Sequence, residues 1–424
     1  STGDYIDSMK VRGIVKDAAD GLPEENALVM LYSDLSDSVV AKERPTYYSH
    51  TDKEGSFEIS HVKEGSYKLF ALTDQNFNLL YDQPGEEVAF WDSAIVIKDT
   101  TGFYSMILFK PAVTKQKLLG ANSPQPGKVT LALARRTDSL QVTPVSGAAK
   151  NGVLQFNAGK DTAYFFLDDF TSDSISLVLT DRNFSDTAAV RMKVVNEKEK
   201  IFAPKFTVGT VFKKGRSGGP QEPDKPFQFE FSTPVIFVND QKSLQLINDS
   251  LKSKEAVKAV LVYDSITRKE KASVQFPFAE KTNYTLVIPD SVFRDVYGRF
   301  NDSSTLKFLT FEKTETGNLT LKITTDSLKH YFYDLYSATS ELISNASLQP
   351  GLNELKFPSL RPGNYSLKVI EDLNANNRWD TGDYWKHLQP EKIYNYTEAI
   401  TLRANWDLEI EMNVGVGKKL LKVK

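Results

Sequence analysis

The chain has 424 residues, a formal net charge of −3 at pH 7 and no cysteine. At about 100 to 150 residues per β-type domain, this length predicts several domains rather than one. The near-neutral charge argues against nucleic acid or an anionic membrane as the main partner, and the absence of cysteine removes disulfides, thiol nucleophiles and zinc–thiolate sites. No stretch approaches the roughly 18 apolar residues of a transmembrane helix.

Short apolar or alternating runs, separated by Gly, Pro, Asn and Asp, fill the first part of the chain and predict β-strands. These runs lie at residues 11–15, 28–32, 56–59, 67–72 and 94–97. Their spacing is typical of a β-sandwich. Helical periodicity is weak, and its best candidate is residues 249–258, which we interpret as a short helix or a loop.

Two stretches that combine Gly, Pro and polar residues, 118–128 and 213–225, are interpreted as linkers, the second alternatively as a long loop within a domain. A third boundary is expected near 313–318, after an apolar strand. The sequence therefore predicts an all-β chain of four tandem β-sandwich modules. They span residues 1–116, 117–206, 207–313 and 314–424.

A repeat links the first and last modules. Residues 57–86 and 355–383 align without gaps as far as a shared Asp. The matches are Gly65 with Gly363, Tyr67 with Tyr365, Leu69 with Leu367, Asp74 with Asp372, Asn76 with Asn374, Asn78 with Asn376, and Asp82 with Asp380. In each copy a Gly supplies a turn, alternating Tyr and Leu place one strand face in the core, and an acidic loop follows. We expect two modules of one fold to flank two others.

The segments VRGIVKDAADGLPEENALVMLY, TDKEGSFEI and EGSYKLFALTDQN resemble the seven-stranded transthyretin-like or carboxypeptidase-regulatory-like sandwich of exported bacterial proteins. The stretch 227–311, with FQFEFSTPVIFVN and TNYTLVIPDSVFRDVYGRFND, is similar to the S-layer type of bacterial Ig-like module, and the opening Ser1-Thr2-Gly3-Asp4 resembles the end of another such module. The second module resembles only a generic sandwich. The order of modules resembles a family of Bacteroidota lipoproteins.

This resemblance implies export to the periplasm or the outer-membrane surface, a lipid anchor on residues preceding Ser1, and a non-enzymatic architecture. The resemblance does not indicate a substrate. The partner that we expect is an envelope protein or a glycan.

The acidic loop of the last module carries oxygen side chains at relative positions 1, 3, 5, 9 and 12, which is the ligand spacing of calcium loops such as the EF-hand. The ligands of this prediction are Asp372, Asn374, Asn376, Asp380 and Asp383, with the carbonyl of Arg378 at position 7. Asn377 replaces Gly at position 6, which is a mild departure because Asn tolerates the left-handed conformation, and no EF-hand helices flank the loop. Asp383 is shorter than the usual bidentate Glu at position 12 and the loop has only three formal carboxylates, so we expect weak calcium binding. The alternative is an Asn/Asp-rich turn whose side chains cap their own backbone.

The first module repeats this spacing with Asp74, Asn76, Asn78 and Asp82, but its acid falls one position late, at Glu86. A second, weaker calcium site is therefore expected there.

Aromatic residues lie close to both acidic loops and admit two interpretations. They form either a stacking platform for a sugar or peptide, or, as is more usual, the edge of a small core. Tyr384 and Trp385 are adjacent, so in a strand they would point to opposite faces. The residues concerned are Tyr81, Phe90, Trp91, Trp379, Tyr384, Trp385, Tyr394 and Tyr396.

Triplets of Asp, Ser or Thr, and an apolar residue recur along the chain, as at Asp249-Ser250-Leu251 and Asp326-Ser327-Leu328. They resemble the O-glycosylation acceptor pattern of exported Bacteroidota proteins. The alternative is a turn that precedes a strand.

No sequence motif for a nucleophile elbow, a metalloprotease, a P-loop or a dinucleotide site is present. We therefore predict a non-catalytic scaffold or binding protein of the cell envelope, made rigid by calcium. The competing prediction is a polysaccharide-binding accessory segment of a carbohydrate-active enzyme. A hydrolase with an unrecognised site is a third possibility.

Overall fold

Strands make up most of the residues that the structure describes. The computed structural model describes residues 9–83, 85–98, 102–113, 115–146, 152–167, 171–196, 205–210, 221–265 and 267–415. Within these residues the only helical elements are a four-residue α-helix and two short 3-10 turns. The all-β prediction is confirmed. No helix in the described ranges is long and apolar enough to cross a membrane.

The chain divides into two compact units. The terminal unit is formed by both ends of the chain, Ser1–Ala112 and Thr316–Lys424, and the inserted unit is Val113–Glu315. Each unit contains two groups of sheets, which we call the first and fourth sandwiches in the terminal unit and the second and third in the inserted unit. The four predicted module boundaries themselves stay a prediction.

The first sandwich consists of a three-stranded sheet in the order β4–β1–β8 and a second sheet in the order β3–β2–β5–β6, with β7 also paired to β5. Both sheets contribute buried side chains to one core. β6 and β7 pair with opposite ends of β5, so two short strands together form the edge of the sheet on that side of β5. The result is eight strands where the resemblance implied seven. The elements are β1 (Met9–Asp17), β2 (Leu28–Tyr32), α1 (Val39–Lys42), β3 (Tyr47–His50), β4 (Ser56–Val62), β5 (Gly65–Leu72), β6 (Val88–Phe90), β7 (Ile95–Ile97) and β8 (Gly102–Leu108).

The strand β2 is buried on both of its faces. Val29 and Leu31 face the core of the first sandwich, whereas Met30 and Tyr32 face a second apolar cluster outside it. A strand covered on both sides needs apolar residues at every position, which explains why LVMLY does not alternate.

The second sandwich pairs a sheet in the order β12–β13–β10–β9 with a sheet in the order β11–β14–β15 around one apolar core. Its strands are β9 (Leu118–Gln125), β10 (Lys128–Leu133), β11 (Gln141–Pro144), β12 (Gly152–Phe156), β13 (Thr162–Leu167), β14 (Ser174–Asp181) and β15 (Phe184–Arg191).

The predicted linker at 118–128 is wrong. Residues 118–125 form β9, which pairs with β10 at the edge of its sheet. An edge strand tolerates Pro124 because one side of its backbone makes no ladder hydrogen bonds. Gly127, at φ +72°, lies in the turn between the two strands. Of the second predicted linker, 213–225, only residues 221–225 are described.

The third sandwich has two four-stranded sheets, in the orders β16–β17–β22–β21 and β20–β19–β23–β25, and a β18–β24 pair. Its core is rich in phenylalanine, with Phe227 stacked on Phe308 at 4.0 Å between ring centroids. Its strands are β16 (Val208–Thr210), β17 (Phe227–Phe231), β18 (Val235–Val238), β19 (Leu244–Asn248), β20 (Ser253–Val257), β21 (Val260–Tyr263), β22 (Glu270–Val274), β23 (Asn283–Ile288), β24 (Phe293–Asp295) and β25 (Ser304–Leu309).

Of the two alternatives for 249–258, the helix is not formed: these residues form the turn and second strand of the β19–β20 hairpin. Lys252, at φ +54°, breaks any helical path through the turn. The edge strand β20 exposes four of its five residues, so its sequence carries no alternating apolar signal.

The fourth sandwich repeats the first strand for strand. Its sheets have the orders β29–β26–β33 and β28–β27–β30–β31, with β32 also paired to β30, and the β26–β33 pair is parallel, as is β1–β8. Its elements are β26 (Gly317–Thr325), β27 (Tyr331–Ser337), β28 (Leu342–Leu348), β29 (Gly351–Leu360), β30 (Gly363–Glu371), β31 (Ile393–Asn395), β32 (Ile400–Leu402) and β33 (Asp407–Val414).

The repeat extends to individual contacts. Gly65 and Gly363 begin the equivalent strands β5 and β30. The hydroxyl of Tyr67 donates to the carbonyl four residues before it at 3.0 Å, and that of Tyr365 does the same at 2.7 Å. The predicted repeat is confirmed.

Candidate functional site

The two acidic loops begin at equivalent points, directly after β30 and shortly after β5. Asp372, which is 3% exposed, accepts the backbone N–H groups of Asn376 and Asn377 at 3.1 and 2.8 Å. In the first sandwich Asp74 accepts those of the residues four and five positions later, at 3.3 and 2.9 Å. Each first aspartate therefore folds its own loop back over its carboxylate.

The predicted ligands at positions 3, 5 and 9 converge in both loops. Asp380 accepts the amide groups of Asn374 and Asn376 at 2.6 and 2.7 Å. Asp82 accepts those of Asn76 and Asn78 at 3.1 and 2.8 Å. A flip of each amide group would present its oxygen in place of its NH₂ group.

A buried glutamate closes each loop, and in the fourth sandwich it is a residue that sequence reasoning missed. Glu391, 4% exposed, accepts the N–H groups of Leu373 and Asp380 at 2.8 and 2.9 Å. Glu86, fully buried, accepts the N–H groups at the same two loop positions, those of Gln75 and Asp82, at 3.3 and 3.0 Å.

The two glutamates are equivalent in structure but not in spacing. Counted from the first aspartate of its own loop, Glu86 occupies relative position 13, whereas Glu391 occupies relative position 20. A Gln-Pro pair precedes both glutamates, at 83–84 and 389–390, but the same pair also occurs at 125–126 and 349–350 and so does not identify them by itself.

Asp383, the residue predicted at position 12, has a different environment. The residue is 8% exposed, and its carboxylate accepts a hydrogen bond from Lys386 at 2.7 Å. Its backbone pairs with Leu388. The closing position is therefore held by Glu391. Arg378, whose carbonyl was predicted as the ligand at position 7, is exposed in the loop between Asn376 and Asp380.

Both loops place positions 4 and 6 in the left-handed region. Asn377 at position 6 has φ +56°, as expected for the residue that replaces the usual Gly, and Leu79 has φ +65° at the same position. Ala375 and Phe77 at position 4 have φ +58°. EF-hand loops make their sharp turn at position 6, so both loops follow that backbone path.

The electrostatics of the last loop reflect the convergence of its carboxylates. Burial raises the pKa of Glu391, hydrogen bonds from the backbone oppose this, and the charges of Asp380 and Asp372 raise the pKa further. In the other loop the hydrogen bond from Asn78 lowers the pKa of Asp82. Over the described ranges, no three His, Cys, Asp or Glu side chains are already spaced to hold a metal ion.

The chain between Asp380 and Glu391 joins the two terminal sandwiches, and we call residues 381–390 the docking segment. Tyr384, 2% exposed, packs edge-on against Phe70 and Phe90 at 5.4 and 5.2 Å between ring centroids. Its hydroxyl donates to the carbonyl of Asp37 at 2.5 Å. This ring is one part of the apolar cluster on the outer face of β2, to which α1 also contributes.

Polar contacts surround this ring. Gln389 donates to the carbonyl of Phe90 at 3.0 Å and to Asp92 at 2.8 Å, and Thr381 donates to the carbonyl of Lys110 at 2.6 Å. The two terminal sandwiches are thus joined by one buried ring within a set of hydrogen bonds.

Most of the aromatic residues singled out from the sequence are core residues. Phe90 and Tyr384 are buried, Tyr81 and Trp379 pack against their cluster, and Tyr394 and Tyr396 pack against the core of the fourth sandwich. The exceptions are Trp91 and Trp385, which are 39% and 56% exposed. Trp385 stacks on Tyr81 at 6.3 Å between ring centroids. The expectation that Tyr384 and Trp385 point to opposite faces assumed a strand, but the two residues lie in a 3-10 turn and their ring centroids are 5.1 Å apart.

Several of the Asp-Ser/Thr triplets cap turns. Asp326 accepts the backbone N–H groups of Leu328 and Lys329 at 2.9 and 3.1 Å, and Asp290 accepts the hydroxyl of Ser291. The apolar residues Leu251 and Leu328 are 77% and 91% exposed. Turn formation accounts for these Asp positions, and glycosylation stays a prediction. Of the triplet at residues 7–9 only Met9 is among the described residues, and Ser1 to Asp4 all lie outside them.

Comparison with known proteins finds no matching family model and no matching curated protein. Among solved structures, BcpA, the major pilin subunit of Bacillus cereus, is 8% identical, with 95% of this chain and 98% of that chain covered and a TM-score of 0.16. Native alpha-2-macroglobulin from Escherichia coli, spanning domains MG0-NIE-MG1, is 9% identical, with 68% and 98% covered and a TM-score of 0.21.

The N-terminal part of the bacterial S-layer protein SbsC is 10% identical to this chain. That comparison covers 41% of this chain and 42% of the S-layer chain, with a TM-score of 0.21. Scores of this size establish no shared arrangement of domains, so the description of the fold rests on the strands and cores of the chain itself.

Proposed function

We propose that the chain is a non-catalytic scaffold or binding protein of the bacterial cell envelope, and that each acidic loop of its terminal unit binds one calcium ion. The observation that carries the calcium proposal is the equivalence of the two loops. Each contributes two aspartates, two asparagines and a closing glutamate in the same hydrogen-bond pattern.

The donor set suits a hard cation. Calcium takes six to eight oxygen ligands from carboxylates, amides and backbone carbonyls. A carboxylate offers about four lone-pair sites, so the N–H bonds accepted by Asp372 and Glu391 leave capacity for a metal. Amide rotation at Asn374 and Asn376 would supply two more oxygens, and the three converging negative charges would favour a divalent cation.

The structural role of calcium would be to stiffen the segment that joins the sandwiches. The docking segment starts directly after Asp380 and ends directly before Glu391, so both of its ends are anchored in the last acidic loop. An ion that fixes these two carboxylates would also fix the segment that carries Tyr384. The scaffold proposal is supported by this packing, and export to the envelope by the resemblance to Bacteroidota lipoproteins.

The calcium proposal is tested by thermal unfolding with millimolar CaCl₂ and with a chelator. We expect calcium to raise the midpoint of the wild type and to have little effect on a variant that carries both Asp82→Asn and Asp380→Asn. The matched control is Asp52→Asn, because Asp52 caps a turn of the first sandwich outside both loops. If the wild-type midpoints with and without calcium are identical, the calcium proposal is refuted, whereas the scaffold proposal is unaffected.

The scaffold proposal has its own experiment, which is affinity capture of partners from native envelope membranes. Reproducible capture of the same envelope protein would support the scaffold proposal. The polysaccharide-binding alternative is favoured by one observation, the exposed Trp385 stacked on Tyr81. A glycan array distinguishes the scaffold proposal from the polysaccharide-binding alternative. Glycan binding that is lost in Trp385→Ala supports the alternative, and the absence of any glycan binding argues against it.

A further inference from the structure

A polar cleft of about 310 Å³ lies between the second and third sandwiches, inside the inserted unit. One wall is the sheet that contains β10, β12 and β13, which contributes Lys128, Gln155 and Tyr164. The other wall is the sheet that contains β17 and β22, which contributes Glu230 and residues 269–271. The volume is close to the lower end, about 300 Å³, of known small-molecule sites.

Direct contacts hold the two walls in place. The N–H of Phe156 donates to the carbonyl of Thr267 at 2.7 Å, and the hydroxyl of Tyr297 donates to the carbonyl of Gly127 at 2.9 Å. The guanidinium of Arg268 lies over the ring of Phe156 at 5.0 Å. A cleft formed in this way is preorganised, which reduces the cost of ordering on binding.

The charges of the cleft do not balance. Lys271 lies opposite Glu230 in the pairing of β17 with β22, and Glu270 accepts a hydrogen bond from Gln155 at 3.0 Å. Three lysines and two glutamates line the cleft, a formal excess of one positive charge. In the described part of the chain neither Lys128 nor Lys269 has a carboxylate oxygen within 4 Å.

Lys128 is the more constrained of these two cations. Its ammonium lies 4.3 Å from the centre of the Tyr164 ring and 5.2 Å from that of Phe166. Burial lowers the pKa of Lys128, and the charge of Lys269 lowers it further. A half-buried cation beside a second cation is unfavourable, and an anion placed between them would relieve the repulsion.

We infer that this cleft binds an acidic sugar residue, with the carboxylate of the sugar between Lys128 and Lys269. The hydroxyl groups of such a ligand can bond to Gln155 and to the carboxylate of Glu230. A compact dianion such as phosphate fits less well because Glu230 and Glu270 line the same cleft. The inference uses only the inserted unit and does not depend on the calcium proposal.

The test is a ligand-detected NMR titration of the whole chain with three probes: glucuronate, neutral glucose and inorganic sulfate. We expect glucuronate to bind, its affinity to fall as salt is added, and glucose and sulfate to bind at least tenfold more weakly. Equal affinity for glucose would show that the lysines play no part. Equal affinity for sulfate would reduce the cleft to a general anion site and overturn the assignment.

Two variants and one control locate the binding. Lys128→Gln and Lys269→Gln should each weaken glucuronate binding at least tenfold, and Lys269 is exposed, so its replacement does not disturb a core. Lys254→Gln is the matched control because Lys254 is an exposed lysine of the same unit that does not line the cleft. The inference is overturned if no glucuronate binds, or if Lys269→Gln binds it as tightly as the control does.

Discussion

Replacing Tyr384 tests whether the docking segment stabilises the terminal unit. Truncation of a fully buried aromatic ring costs about 3 to 5 kcal/mol, because apolar contacts are lost and a cavity remains. Tyr384 is 2% exposed and contacts Phe70 and Phe90, so Tyr384→Ala should fall within that range. Tyr384→Phe keeps the ring and removes only the bond to the Asp37 carbonyl, which should cost about 1 kcal/mol.

The assay is urea unfolding followed by tryptophan fluorescence. All four tryptophans, Trp91, Trp379, Trp385 and Trp406, belong to the terminal unit, so the signal reports that unit alone. With a denaturant slope of about 1 to 3 kcal/mol/M, Tyr384→Ala should move the midpoint down by about 1 to 5 M, and Tyr384→Phe by much less.

Tyr48→Ala provides the control for this measurement. Tyr48 belongs to the same unit but is 53% exposed on β3, so its loss should change stability by no more than about 0.5 kcal/mol. If Tyr384→Ala unfolds at the same urea concentration as Tyr48→Ala, then the packing of the docking segment does not stabilise the terminal unit, and the reasoning is refuted.

Three further outcomes are expected. Hydrogen bonds from Lys10, Ser60 and Arg12 lower the pKa of Glu58 to about 2 from 4.5, so its stabilisation is complete above pH 4.5 and is lost as pH falls towards 2. In urea unfolding across this range, the stability difference between wild type and Glu58→Gln should shrink as pH falls; a constant difference would contradict the pairing. Phe77→Asn should raise the free energy of unfolding by up to about 1 kcal/mol, because Phe77 is 87% exposed at φ +58° and Asn tolerates that backbone conformation better. A lower free energy of unfolding would show that the Phe77 ring makes a stabilising contact. Gly382→Ala should destabilise the terminal unit by about 1 to 3 kcal/mol, since the added carbon would lie 2.6 Å from the ring of Phe109, and an unchanged melt would show that the segment shifts freely.

Local pattern predicted the class of fold and the repeat but not the elements whose character depends on distant parts of the chain. The run LVMLY of β2 indicated a strand, yet its unbroken apolar character reflects a cluster on its outer face that includes Tyr384, from the other end of the chain. The stretch at 118–128 looked like a linker because an edge strand can carry Gly and Pro.

The acidic loops show the same limit at the level of the site. Spacing identified the residues at positions 1, 3, 5 and 9 because these lie on one continuous turn. It pointed to Asp383 for the closing acid because the EF-hand rule places that acid at position 12. In the last loop, however, the docking segment intervenes before Glu391. The Gln-Pro pair that precedes both glutamates also occurs at two other places in the chain, so the sequence alone did not locate this acid.

The contact between Tyr384 and Asp37 also has a consequence for biosynthesis. The two residues are 347 positions apart. At a translation rate of about 5 to 20 residues per second, the ribosome needs roughly 20 to 70 s to reach the tyrosine after the aspartate has been made. Throughout that interval the apolar cluster on the outer side of β2 lacks Tyr384, so a nascent chain stalled in the inserted unit should be a better client for holdase chaperones than the completed protein.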